Sequence, residues 1–278
     1  MRKLGLIAGA GRLPVEIVHA CAAAGRDVFV LRLAGLAEPE LGELAPGLGV
    51  GLAQWGKMVQ ALKEHGCEAV CFAGRVPRPD FAALKPDMRA LAALPRLIAA
   101  AGKGDDALLR QVLFEFEQEG FVIEGPEAVM VGLTIGEGPL GRIAPGTEHH
   151  ADIEKAMRVA RAIGVLDVGQ AVVVADGLVL AVEAQEGTDA MLERCATLSQ
   201  ALRSPGRGAR GVLAKAAKPI QDRRVDLPTI GPATLVGAAR AGLAGIVGEV
   251  GSLLVVERAQ VIRAADELGL FVVGLPVS

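Results

Sequence analysis

The 278-residue sequence predicts an α/β protein of two domains, the first opening as a doubly wound parallel sheet. Three observations predict it. The first 33 residues run apolar strand, glycine turn, helix, apolar strand, which is how such a layer begins. The length exceeds what one modest core needs. Between Gly132 and Gly146 lie five glycines and two prolines, the composition of a linker. We therefore expect an N-terminal domain over 1–131, a Gly-rich linker over 132–146, and a C-terminal α/β domain over 147–278.

Each element follows from local pattern. KLGLIAG (3–9) is a short buried strand, and Gly9-Ala10-Gly11-Arg12 turns it into a helix from Pro14, where proline is tolerated in the first turn. Gly25 ends that helix, and DVFVLRL (27–33) is the second strand. Gly35 to Gly51 reads as a Gly/Pro-punctuated loop. A helix over 57–65 precedes a strand over 68–72 that runs into Gly74-Arg75-Val76-Pro77-Arg78, the carboxyl edge where parallel sheets place binding residues. Two apolar helices follow, over 89–101 and 105–119, and a strand over 121–124 closes the unit. After the linker come a helix to Ile163 and two apolar runs split by Asp176-Gly177, a strong hairpin signal. A helix from Thr188 to about Leu202 follows, then a strand in GVLAKAA and a helix over 232–241. Strands over 245–249 and 253–257, a helix over 259–268 and a strand over 270–274 complete the chain.

Composition removes several functions. A net charge of −3 argues against a nucleic-acid binder, and seven Phe, one Trp and no Tyr leave almost no stacking platform. Cys67 and Cys71 match neither CxxC nor a zinc pattern. With Cys21 and Cys195 they read as reduced, buried residues suited to the cytoplasm. The N-terminus lacks the apolar run of a signal peptide, and no window reaches the about 18 apolar residues of a membrane span. Any membrane contact is expected to be peripheral. The glycine turn is a poor dinucleotide fingerprint: the third glycine of GxGxxG would be Pro14, and the second strand ends near Arg32 rather than an acid. His149 and His150 are adjacent and cannot share a metal from one helix face.

The chemistry concentrates in LAKAAKPIQDRRVDLPTIG (213–231). Lys215, Lys218, Arg223 and Arg224 lie within ten residues, around Asp222 and just ahead of Asp226. Bunched cations suit a polyanionic ligand, and a carboxylate beside them can hold Mg²⁺ or orient water. A solvated loop whose ions pair with one another is the competing reading. The apolar helical stripes read first as core and second as the lining of a slot for acyl chains.

The segments GLIAGAGRLP (5–14), CFAGRVPRPDF (71–81), KGDDALLR (103–110), LVLAVEAQEGTDAML (178–192), 213–231 and AGLAGIVGE (241–249) together resemble the LpxI family, UDP-2,3-diacylglucosamine pyrophosphatases of lipid A biosynthesis. The likeness spans essentially the whole chain. One departure is Ala10, where the family's turn often has a third glycine. The resemblance implies a Rossmann-like first domain, Mg²⁺-dependent hydrolysis of the UDP-sugar diphosphate to UMP and 2,3-diacylglucosamine 1-phosphate, and a homodimer peripheral to the cytoplasmic face of the inner membrane. It places the essential aspartate at Asp226, as metal ligand or water-orienting base. Residue chemistry adds Asp189 or Glu186 as candidates for a second metal oxygen, since Mg²⁺ usually takes only one or two carboxylates. Gly11, Arg12, Gly74, Arg75, Thr188, Asp189, Lys215, Lys218, Gln221, Arg224 and Thr229 become the expected substrate contacts. A non-catalytic binder of UDP-sugars or phospholipids is the alternative that needs no Asp226.

Overall fold

The computed structural model describes residues 1–77, 80, 84–102, 104–203, 210–219 and 221–276. The chain packs as two compact units. The first holds Met1–Val131 and Asp222–Asp226, and the second Gly132–Gln221 and Leu227–Ser278.

In the first unit the elements run β1 (Leu4–Ala8), α1 (Leu13–Ala23), β2 (Val28–Leu33), α2 (Leu41–Leu44), β3 (Gly47–Val50), α3 (Trp55–Glu64), β4 (Ala69–Ala73), α4 (Met88–Ala101), α5 (Asp105–Glu117), β5 (Val122–Ile123) and α6 (Pro126–Val129). All strand pairs are parallel, in the order β3-β2-β1-β4-β5. Both faces are covered, which is why these strands read as continuous apolar runs. Leu6, Val30 and Cys71 face α1 through Val15, Ile17 and Val18. Ile7, Leu31 and Val70 face the opposite way, into a core shared with Met58, Leu62, Leu97 and Phe116 of α3, α4 and α5. The segment expected as a loop (35–51) contains α2 and β3. β3 is an edge strand in which Val50 alone is buried, so its pairing with β2, not its own pattern, makes it a strand.

The second unit contains β6 (Gly138–Pro139), a 3₁₀ turn (Thr147–His149), α7 (His150–Val165), β7 (Ala171–Ala175), β8 (Leu178–Val182), α8 (Gly187–Ala196), α9 (Gln200–Arg203), β9 (Val212–Lys215), β10 (Thr229–Ile230), α10 (Pro232–Arg240), β11 (Gly245–Glu249), β12 (Leu254–Val255), α11 (Arg258–Leu268) and β13 (Phe271–Leu275). Its six-stranded sheet is ordered β6-β13-β11-β9-β7-β8. β13, β11 and β9 are parallel, and β6, β7 and β8 join antiparallel to their neighbours. Val172, Val174, Val212 and Ala214 pack on α7, and Val173, Leu213 and Ile246 pack with α8, α10 and α11. The Asp176-Gly177 turn joins β7 to β8 as the hairpin signal predicts, with Asp176 at φ 46 and Gly177 at φ 75.

Three local expectations change. The Gly-rich stretch packs within the second unit, with Leu133 fully buried, Ile135 nearly so, and β6 paired to β13. The helix expected to reach Leu202 stops at Ala196, where the Thr197 hydroxyl bonds back to the Arg194 carbonyl. The strand expected over 253–257 shrinks to the two residues of β12, which pairs with β10 rather than with β11. All four cysteines are free and buried, and burial raises the thiol pKa of Cys21, Cys67 and Cys71. Among the described residues no helix is long and apolar enough to cross a membrane.

Candidate active site

The order β3-β2-β1-β4-β5 reverses direction between β1 and β4, so the crevice beyond their carboxyl ends is the switch point at which such sheets take ligands. The two turns leaving these strands are zipped together. Gly9 N donates to the Ala73 carbonyl at 2.8 Å, and Ala10 and Arg75 exchange both backbone hydrogen bonds at 2.9 Å. That approach needs glycine. A Cβ on Gly74, at φ +90, would lie 2.8 Å from the Ala10 carbonyl oxygen, and one on Gly9 would lie 2.8 Å from that of Arg75. Gly11 sits at φ +93 and is exposed. The predicted contacts Gly11, Gly74 and Arg75 thus belong to one backbone assembly. Arg12 is exposed at the start of α1 and pairs with Glu40. Arg78 and Lys103, members of the segments that carried the resemblance, lie outside the described residues.

Beside this assembly the first unit forms a half-open cavity of about 420 Å³. Its walls come from the β4 end, from α3, α4 and α5, and from Val225 and Asp226. Among the described residues, Arg75 and Asp226 are the charged members of a lining that also holds Phe72, Leu94, Leu97, Val112 and Phe116. An apolar cavity with a few convergent polar groups is the usual form of a small-molecule site.

Asp226 is half-buried and is presented by a turn that its neighbours hold. The Asp222 carbonyl accepts from Val225 N and Asp226 N at 3.1 and 3.2 Å. The Asp222 carboxylate accepts from Arg224 N at 3.0 Å, from its Nε at 2.9 Å and from its Nη2 at 2.7 Å. Helix α5 fastens the turn: Asp222 N donates to Asp106 Oδ1 at 3.2 Å, and Arg224 Nη1 to Glu117 Oε1 at 2.7 Å. The Arg224 hydrogen bonds hold the Asp222 carboxyl below the usual carboxylate range, and those same bonds to Asp222 push Arg224 further toward its charged form. Arg224, expected at the substrate, is thus engaged in the turn that carries Asp226.

The second unit gathers another set. Lys215, at the carboxyl end of β9, is 4% exposed. Its Nζ donates to Thr188 Oγ1 at 2.8 Å and to the Thr229 carbonyl at 2.9 Å. Lys218 pairs with Asp167 at 2.8 Å, and its backbone N donates to Gln221 Oε1 at 3.0 Å. Gln221 is buried, and its Nε2 finds no hydrogen-bond partner among the described residues. Asp189 is exposed in the first turn of α8. Glu186, the other candidate for a second metal oxygen, is paired with Arg194 at 2.8 Å, which lowers its pKa. Among the described residues no three His, Cys, Asp or Glu side chains form a metal cluster.

Sequence reasoning missed Asp106, Glu117 and Glu183. Asp106 and Glu117 sit on α5 and meet the Asp222–Asp226 turn from more than a hundred residues away. Glu183 left one signal: it follows Ala181 by two positions, so strand alternation aims it inward.

Family models described as the LpxI N-terminal domain and the LpxI C-terminal domain match residues 3–133 and 136–273. The chain is 62% identical over 275 residues to the UDP-2,3-diacylglucosamine pyrophosphatase LpxI of Caulobacter vibrioides, covering 99% of this chain and 98% of the relative. Among solved structures, the biotin carboxylase domain of the Hydrogenobacter thermophilus 2-oxoglutarate carboxylase aligns at 16% identity with a TM-score of 0.27, over 77% of this chain and 44% of that one. The biotin carboxylase subunit of a pyruvate carboxylase aligns over the same shares at 16% identity and a TM-score of 0.22.

Proposed function

The chain belongs to the LpxI family, and from that membership we propose the chemistry of its site. The protein is a hydrolase acting on the diphosphate of UDP-2,3-diacylglucosamine, giving UMP and 2,3-diacylglucosamine 1-phosphate in lipid A biosynthesis. The observation that carries the mechanism is that Asp226 and Arg75 both line a cavity whose other described lining residues carry no charge. One compartment then offers a place for hydrocarbon and, beside it, charged groups for a phosphate. Each methylene buried there contributes about 0.8 kcal/mol, which suits an amphiphile better than a free nucleotide sugar.

Hydrolysis adds water across a phosphoric anhydride: one P–O bond forms, one breaks, and the leaving phosphate gains negative charge. We assign the half-buried Asp226 carboxylate to orient the attacking water, and it is the residue that would hold a metal ion. Its donor set fits Mg²⁺, which commonly takes one or two protein carboxylates and fills its remaining positions with water and substrate phosphate. When bound, Mg²⁺ would neutralise phosphate oxygens. Arg75 supplies fixed positive charge in the first unit. Lys215, Lys218, Gln221, Thr188 and Thr229, all within the second unit, are assigned to the polar part of the substrate. Gly11 and Gly74 give backbone approach to the ligand, Arg12 meets it once released from Glu40, and Arg224 serves by holding the Asp226 turn. We further assign a cytoplasmic homodimer that touches the inner membrane peripherally.

The test is direct. Purified full-length protein with UDP-2,3-diacylglucosamine and Mg²⁺ should yield UMP and 2,3-diacylglucosamine 1-phosphate by mass spectrometry, and a chelator should stop turnover until Mg²⁺ is restored. Recovery of intact substrate would refute the activity, and turnover unchanged by chelator would refute the metal.

A further inference from the structure

We infer that Glu183 is a positioning residue for Lys215, acting through the Thr188 hydroxyl. Glu183 lies one residue beyond β8 and is 6% exposed, while Lys215 ends β9 and is 4% exposed, with β7 between the two strands. One carboxylate oxygen, Oε2, accepts from Gln170 N at 3.1 Å and is thereby anchored to the start of β7. The other, Oε1, accepts from Thr188 Oγ1 at 2.6 Å.

A carboxylate can only accept, so Thr188 must spend its single proton on Glu183. The hydroxyl oxygen then has only lone pairs to turn toward Lys215, whose Nζ donates to it at 2.8 Å. A second Lys215 N–H is taken by the Thr229 carbonyl at 2.9 Å. Two of the three ammonium donors are therefore fixed, one by a backbone carbonyl and one by a hydroxyl whose polarity Glu183 dictates. A lysine stem has four rotatable bonds, and an unrestrained ammonium would sample many positions. This chain holds the charge at the carboxyl end of a parallel strand, the edge where such sheets act on ligands.

The inference rests on the reading above in assigning Lys215 to the diphosphate. In Glu183→Gln the amide keeps the size, and its oxygen stays on the Gln170 N–H, because an NH₂ there would set donor against donor. Its NH₂ then faces the Thr188 hydroxyl, whose proton loses its acceptor and whose lone pairs must now serve the amide as well as the Lys215 ammonium.

Two measurements on full-length protein decide the matter. The first is lysine-selective ¹⁵N NMR of the Lys215 ammonium, assigned by its loss in Lys215→Met, and it needs no turnover. A slowly exchanging ammonium signal is expected in the native sequence and in Thr188→Ser, and its loss is expected in Glu183→Gln and Thr188→Val. The second is steady-state kinetics on UDP-2,3-diacylglucosamine. Glu183→Gln and Thr188→Val should each lower kcat about tenfold or more with KM little changed, as expected for an interaction made in the transition state. Thr188→Ser should restore it, and the double variant should be no worse than Thr188→Val alone. An unchanged ammonium signal in Glu183→Gln would overturn the inference, as would kcat losses that multiply in the double variant. Native protein that leaves UDP-2,3-diacylglucosamine intact would instead refute the activity, and the ammonium signal would still decide the positioning.

Discussion

Asp222 does for the first unit's site what no single-residue pattern announces: it ties Arg224 and the backbone into the turn that presents Asp226. Its folded pKa is lowered, chiefly by the Arg224 hydrogen bonds. A depressed carboxylate contributes stability above its unfolded pKa, about 3.9, and loses it as pH falls through the lower folded value. Asp222→Asn should therefore unfold at lower temperature than the native sequence at pH 7, with the gap in Tm closing below about pH 4. A gap unchanged down to pH 3 would refute the ion pair's part. Gly74 allows a second prediction. Gly74→Ala forces a Cβ to 2.8 Å from the Ala10 carbonyl oxygen at φ +90, so it should destabilise by about 1–3 kcal/mol in chemical denaturation. A variant as stable as the native protein would show that the two turns are not locked. At this scale the sequence revealed the residue types but not their partners. Lys218 and Arg224 look alike in the charge run, yet one pairs with Asp167 and the other with Asp222 and Glu117. Two of those three partners are set by tertiary packing that local spacing does not encode.

Among the elements, strands buried on both faces were legible because nothing polar interrupts them, as in β1, β4, β7 and β11. The two-residue strands β6 and β10 carry no pattern of their own and exist through pairing. Helices α4 and α5 were legible as amphipathic helices, but whether their apolar faces made solid core or lined a slot was not. The same side chains do both: Leu97 and Phe116 are buried in the core cluster and also wall the cavity. The half-buried Leu94 gives a test. Leu94→Trp should shorten the cavity and raise KM for a long-chain substrate more than for a short-chain analogue, by roughly fourfold per displaced methylene at about 0.8 kcal/mol each. Equal changes for both substrates would place the acyl chains elsewhere.

For the whole molecule, the chain assigns its most characteristic motif to both units. Lys215, Lys218, Gln221 and Thr229 pack in the second, while Asp222–Asp226 pack in the first. Composition foretold two α/β units but not this excursion, which depends on α5 offering Asp106 and Glu117 to a turn far along the chain. The proposed hydrolysis depends on Asp226. Asp226→Asn keeps the volume and the turn while removing the charge, so single-turnover hydrolysis of UDP-2,3-diacylglucosamine by the full-length variant measures its role most directly. We predict normal substrate binding and a rate lowered at least about a hundredfold, or about 2.7 kcal/mol of transition-state stabilisation. A rate within a few fold of the native enzyme would contradict the account.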